Sequence, residues 1–191
     1  VTASAGAVVI GIGNVFRRDD GAGPAVLALL RQRARRRPLP DGTTLHECDG
    51  DPGRLMELWT DAPVAVVVDA FFPPSPHPGR VHRWCPAPDA LPDLPQAGRH
   101  STHGLGLLET LRLARMLGRC PAHLVVYACE GAEHGIGTGL TPPVARAVRP
   151  LAERIEQDLQ RHAETTGLDR QPHADIRGTR RNASTTSHDT P

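Results

Sequence analysis

At 191 residues the chain fits one domain, or one domain with a tail, and is long enough to bury a hydrophobic core. Its 22 basic residues, all of them arginine, balance 21 acidic ones to a formal net charge of +1, so no global positive field argues for nucleic-acid binding. The absence of lysine rules out a Walker-type phosphate loop. Four cysteines, Cys48, Cys85, Cys120 and Cys129, are widely spaced and lack CxxC pairing, which points away from a zinc knuckle or a disulfide framework and toward a reducing compartment. No basic segment followed by a long apolar run opens the sequence, and no run reaches membrane-spanning length. The expectation is a soluble, cytoplasmic protein with no membrane partner.

Residues 7–12 read as a buried first strand, followed by a glycine-rich turn with Asp19 and Asp20. Ala22, Ala25, Val26, Leu29, Leu30 and Ala34 then recur at helical spacing, and the arginine-rich "RQRARRR" suits a solvated helix end where cations complement the dipole. "TTLHEC" is a weak second strand, and "DPGRLMELW" a short helix with Pro52 in its first turn. "APVAVVVDA" is continuous and β-branched, as expected of a strand covered on both faces, and it ends at Asp69. The Pro-rich "FFPPSPHPG" leads into "RVHRW", an edge strand, and then into a loop, "CPAPDALPDLPQ".

Residues 104–117 form a helix on the spacing of Leu107, Leu108, Leu111 and Ala114, entered just after Ser101, Thr102 and His103. "AHLVVYAC" is another buried strand, followed by the glycine-rich "EGAEHGIGTGLTPP". A final helix runs from about Val144 to Ala163. The domain is placed at residues 1–164, and 165–191 read as a polar, disordered tail with little to bury. Strands alternating with helices predict a three-layer α/β/α sandwich with a mostly parallel central sheet. Ligands in such folds bind beyond the carboxyl ends of the strands.

That rule gathers the polar residues. Asp20 follows the first strand, Asp69 ends the strongest one, and His103 stands at a helix entry that can reach the same edge. Two carboxylates and an imidazole suit a divalent ion such as zinc or nickel with open positions left for water or substrate. Other readings stay open at this level: Asp20 also suits a helix cap, Asp69 a partner for loop amides, and His103 a helix N-terminal or packed imidazole. Glu130, Glu133 and His134, in the loop after a strand, are possible supplements to the site. No HExxH or GxSxG is present, and "GIGNVF" puts Phe16 where a dinucleotide fingerprint needs its third glycine.

Four segments, "GIGNVFRRDDGAG", "VVVDA", "STHGLG" and "GIGTGLTPPV", resemble in order and spacing the hydrogenase maturation proteases, endopeptidases that process the large subunit of nickel-iron hydrogenases. The resemblance implies a phosphorylase/hydrolase-like α/β sandwich. It implies that the metal-contacting residues of the family, which are also its catalytic set, fall on Asp20, Asp69 and His103, with Asp19 orienting the loop. It further implies that a nickel-loaded hydrogenase large-subunit precursor is the partner and substrate, and that a short C-terminal extension is removed. Nickel would be recognised in the substrate, with no tightly held cofactor of the protease's own, and the enzyme would act as a monomer. Metal-assisted and carboxylate-driven hydrolysis use the same residues. A non-proteolytic, metal-dependent chaperone for the precursor is the alternative.

Overall fold

The computed structural model describes residues 6–86 and 107–169. Five strands, β1 (Val8–Ile12), β2 (Thr44–Cys48), β3 (Val64–Phe71), β4 (Val81–Trp84) and β5 (His123–Glu130), form one sheet in the order β2-β1-β3-β5-β4. All pairings are parallel except β4 against β5, so the predicted edge strand is the one antiparallel member. Four helices, α1 (Ala22–Ala34), α2 (Pro52–Trp59), α3 (Leu107–Met116) and α4 (Pro142–Asp169), cover the sheet. Alternation along the strands divides the core in two. Val8, Ile10, Ala65, Val67, Leu124 and Val126 face α2 and α3, with Trp59, Leu55 and Leu111. Val9, Val66, Val68, Val125 and Tyr127 face α1 and α4, with Val26, Leu30, Leu151 and Ile155. The expected three-layer sandwich follows directly from strands that are apolar on both faces.

Local chemistry sets the element ends. Asp51 caps α2 by accepting from the Arg54 N–H at 2.7 Å, with Pro52 in the first turn. The Trp59 indole, fully buried, donates to the Arg119 carbonyl at 2.9 Å and so ties α2 to the segment ahead of β5. Helix α4 continues to Asp169, past the expected end near Ala163. Ala163, Glu164 and Thr165 are exposed and still helical, and the Thr165 hydroxyl donates back to the Arg161 carbonyl. No helix among the described residues is long and apolar enough to cross a membrane.

The edge strand β4 is fastened by a polar network reaching across to α4. Asp158, 1% exposed, accepts from the Tyr127 hydroxyl at 2.5 Å and from Arg83 Nε at 2.9 Å, with Arg161 on its other oxygen. Burial, followed by the hydrogen bond to Asp158, pushes the Tyr127 phenol up to about 12. Burial works against the Asp158 carboxylate, but Tyr127 and the two arginines outweigh it and hold it below the ordinary carboxylate range. Replacing Asp158 by Ala leaves a buried phenol without its acceptor and Arg83 without its partner. Urea unfolding should register a loss of about 2–3 kcal/mol, whereas a change under about 0.5 kcal/mol would mean that the network does not hold the strand.

Candidate active site

The site is built on the carboxyl edge of the parallel strands. Gly11 of β1 lies opposite Val68 of β3, so the residues that follow each strand leave the sheet side by side. After β1 the chain makes a loop and a short 3-10 turn, Arg18–Gly21, before entering α1. This return is very tight. Gly13 has φ +141°, and a Cβ there would collide with the Asp20 carbonyl. At Gly23 a Cβ would lie 2.8 Å from the Val68 carbonyl, so the first turn of α1 sits directly against the ends of β1 and β3.

Asp19 and Asp20 are both fully buried, and they differ in what they hold. One oxygen of Asp19 accepts from the Ala132 and Glu133 N–H groups, at 2.9 and 3.1 Å, and from the Thr141 hydroxyl at 2.9 Å. The other accepts from the Thr141 N–H at 2.7 Å. These four bonds all go to the loop between β5 and α4. A carboxylate removed from water needs such donors, and this one has them from a single segment. The same two loops also pair through their backbones: Arg18 N–H to Gly137 carbonyl at 3.0 Å, Gly137 N–H to Phe16 carbonyl at 2.8 Å, and Asp19 N–H to Glu133 carbonyl at 2.9 Å. Asp19 is thus a clamp between the loops, an assignment that deepens the loop-orienting role implied for it by resemblance.

Asp20 does not cap α1, since Gly21 occupies the cap position and no side chain bonds there. Its Oδ2 accepts instead from the N–H of Asn14 at 2.9 Å, which closes the loop on itself. Asp69 stands at the end of β3, partly exposed, on the α2 and α3 side of the pleat, with Oδ1 accepting from the Ala70 N–H at 2.8 Å. Fold and register therefore bring the Asp20 and Asp69 segments to one edge of the sheet. His103 lies outside the described residues. Among those residues no group of three His, Cys, Asp or Glu side chains is assembled to hold a metal ion. Two carboxylates supply hard oxygen ligands, and an ion bound there needs further donors to complete its shell.

The supplementary candidates are employed elsewhere. Glu130, buried at the end of β5, accepts from the His77 N–H at 2.6 Å and meets His82 Nε2 at 2.7 Å, with Arg80 Nε at 3.9 Å. It fastens the Pro-rich connection and β4 to β5. Glu133 serves the Asp19 clamp through its backbone, and the His134 ring packs on Phe72 with centroids 4.7 Å apart. None of these contacts had a periodic signature in the sequence. The buried thiol of Cys129 is pushed up to about 12, by burial first and then by the Asp19 and Glu130 carboxylates, so it is no thiolate nucleophile at neutral pH.

Residues 38–158 match the family model of the hydrogenase maturation proteases, HycI. The chain belongs to the hydrogenase maturation protease family. Within reach of this family are the hydrogenase expression/formation proteins HupD of Bradyrhizobium diazoefficiens, 31% identical over 80% of this chain and 77% of its own length, and HupD of Thiocapsa roseopersicina, 32% identical over 76% and 64%. The solved hydrogenase maturating endopeptidase HybD from Escherichia coli superposes with a TM-score of 0.64 at 22% identity, over 82% of this chain and 93% of that one. The [NiFe] hydrogenase maturation protease HybD from Thermococcus kodakarensis does so with a TM-score of 0.62, also at 22% identity, over 80% and 97%. These two likenesses establish a shared fold.

Glu130 provides a test that is independent of activity. Burial would raise its carboxyl, but the His77 N–H and the His82 ring outweigh burial and hold it below its ordinary value of 4.5. A carboxyl depressed in the folded state contributes stability that is present above the unfolded-state pKa and is lost as pH falls through the lower folded value. Unfolding curves from pH 6 to about 3 should therefore fall less steeply for Glu130→Gln than for the wild type. Parallel acid limbs would refute the assignment.

Proposed function

We propose that the protein is the endopeptidase that removes the C-terminal extension from a nickel-loaded [NiFe] hydrogenase large-subunit precursor, completing that subunit's maturation. Family membership supports the reaction class and the precursor as partner. What supports the assignment of chemistry is that the segments carrying Asp20 and Asp69 follow adjacent parallel strands to one edge of the sheet, the edge where this class of sheet binds ligands. Asp20, Asp69 and His103 are the proposed catalytic set and the groups that contact the substrate's nickel. The metal arrives with the precursor, and the protease holds no cofactor of its own.

In this reading the two carboxylates have separable tasks. The burial of Asp20 and its hydrogen bond from Asn14 fix its position, which suits a ligand that must meet an incoming metal with little rearrangement. Asp69, more accessible, suits the handling of a proton: it accepts one from the attacking water and returns it to the leaving amine. Polarisation of the scissile carbonyl by the substrate's metal would lower the demand on that base. We read the enzyme as a cytoplasmic monomer that docks transiently with its larger substrate.

The test is cleavage of a cognate precursor, nickel-loaded and nickel-free, followed by intact mass. Wild type should release a C-terminal peptide from the loaded form alone, and Asp20→Asn, Asp69→Asn and His103→Ala should each lower the rate by at least about a hundredfold. Tight binding of the loaded precursor with no cleavage by wild type would contradict the protease reading and leave a metal-checking chaperone.

A further inference from the structure

Three of the largest exposed apolar side chains stand together in the chain's architecture. Phe16 is 65% exposed, Val15 48% and Ile136 93%. Val15 and Phe16 belong to the loop after β1, Ile136 to the loop after β5, and the two loops are joined through the Gly137 N–H on the Phe16 carbonyl and an Arg17–Gly137 bridge. The remaining exposed large apolar side chains among the described residues, Leu113, Met116 and Leu117, lie at the end of α3 or just beyond it. Since β5 begins soon after Met116, that second group is at the amino edge of the sheet, away from Asp20 and Asp69.

The platform under Phe16 and Ile136 is fixed. The Asn14 side chain accepts from the Phe16 N–H at 2.9 Å while the Asn14 N–H donates to Asp20, so Phe16 and the Asp20 carboxylate are referenced to one residue. The Asp19 clamp fastens the Ile136 loop from below. Side chains on a loop so heavily bonded cannot fold inward to escape water. They are held out on the loop that carries Asp20 and on the loop bonded to it, so a ligand that reaches the Asp20 loop has these side chains within its footprint.

We infer that Phe16 and Ile136, with Val15, are the docking surface for apolar side chains of the polypeptide substrate next to the bond that is cut. The inference rests on the proposed protease function and names a contact for that same site. The size of the patch separates this occupant from a second copy of the chain. Three side chains offer about 400 Å² at most, whereas a stable interface needs about 800 Å² from each partner. A small apolar anchor beside a polar centre fits a substrate that engages both at once and leaves after cleavage.

The experiment uses the full chain and a cognate nickel-loaded precursor. Steady-state cleavage is measured for wild type, Phe16→Ser, Ile136→Ser, the double variant, and Met116→Ser as an exposed apolar control at the far edge. Precursor affinity is measured for the same substitutions placed in an Asp69→Asn background and compared with Asp69→Asn alone, which reads docking without turnover. The double variant should raise KM and weaken affinity by at least about tenfold, with kcat within about twofold and an unchanged melting temperature, while Met116→Ser matches wild type. Cleavage with an unaltered KM in the double variant would overturn the docking surface and leave the protease reading standing. Weakened affinity in a chain that never cleaves would uphold the docking surface and remove the protease reading. A wild type that sediments as a dimer, made monomeric by the double substitution with precursor affinity unaltered, would assign the patch to self-association instead.

Discussion

The site depends on one buried carboxylate. Asp19 has lost all contact with water and recovers its hydrogen bonds from Ala132, Glu133 and Thr141, residues more than a hundred positions away. A buried charge left without donors costs several kcal/mol, so the loop after β1 and the loop after β5 are obliged to meet. Their meeting fixes the 3-10 turn that carries Asp20, the backbone bridge at Gly137, and the outward stance of Phe16 and Ile136. One aspartate thereby positions its neighbour, and each of its own oxygens is already engaged.

Around that clamp the sandwich serves as a frame. Strands apolar on both faces demand helices on both sides, and parallel strands send the ends of β1, β3 and β5 to a common edge. Asp20 arrives there from the α1 side and Asp69 from the side of α2 and α3. Polar fasteners at the periphery complete the frame: Glu130 on the Pro-rich connection and Asp158 between β4, β5 and α4. These buried acids hold loops and an edge strand where apolar packing is thin.

Much of this was legible in the sequence, for physical reasons that differ by element. The runs at 8–12, 64–71 and 123–130 are β-branched and flanked by breakers, so strand type and burial could be read directly. Asp20 and Asp69 could be placed at one edge because strand ends and parallel topology suffice for that inference. Strand order, the antiparallel pairing of β4 and the course of α4 beyond Ala163 carry no local signature. Nor did the tasks of Asp19, Glu130 and Asp158, whose partners lie far off in the chain: a carboxylate that anchors a distant loop looks, as a letter in a sequence, like one poised for catalysis. His103 falls outside the described residues, and its place in the proposed catalytic set rests on the resemblance of its motif.

The most direct measurement of this account is site-resolved amide hydrogen exchange in wild type and Asp19→Asn. If the carboxylate is the clamp, the amides of Ala132, Glu133, Gly137 and Thr141, together with Arg18 and Asp19, should exchange at least about tenfold faster in the variant, while those of Val66 and Val126 in the sheet remain protected. Unaltered protection across both loops would contradict the account, because the two segments would then be held together without the charge that is said to join them.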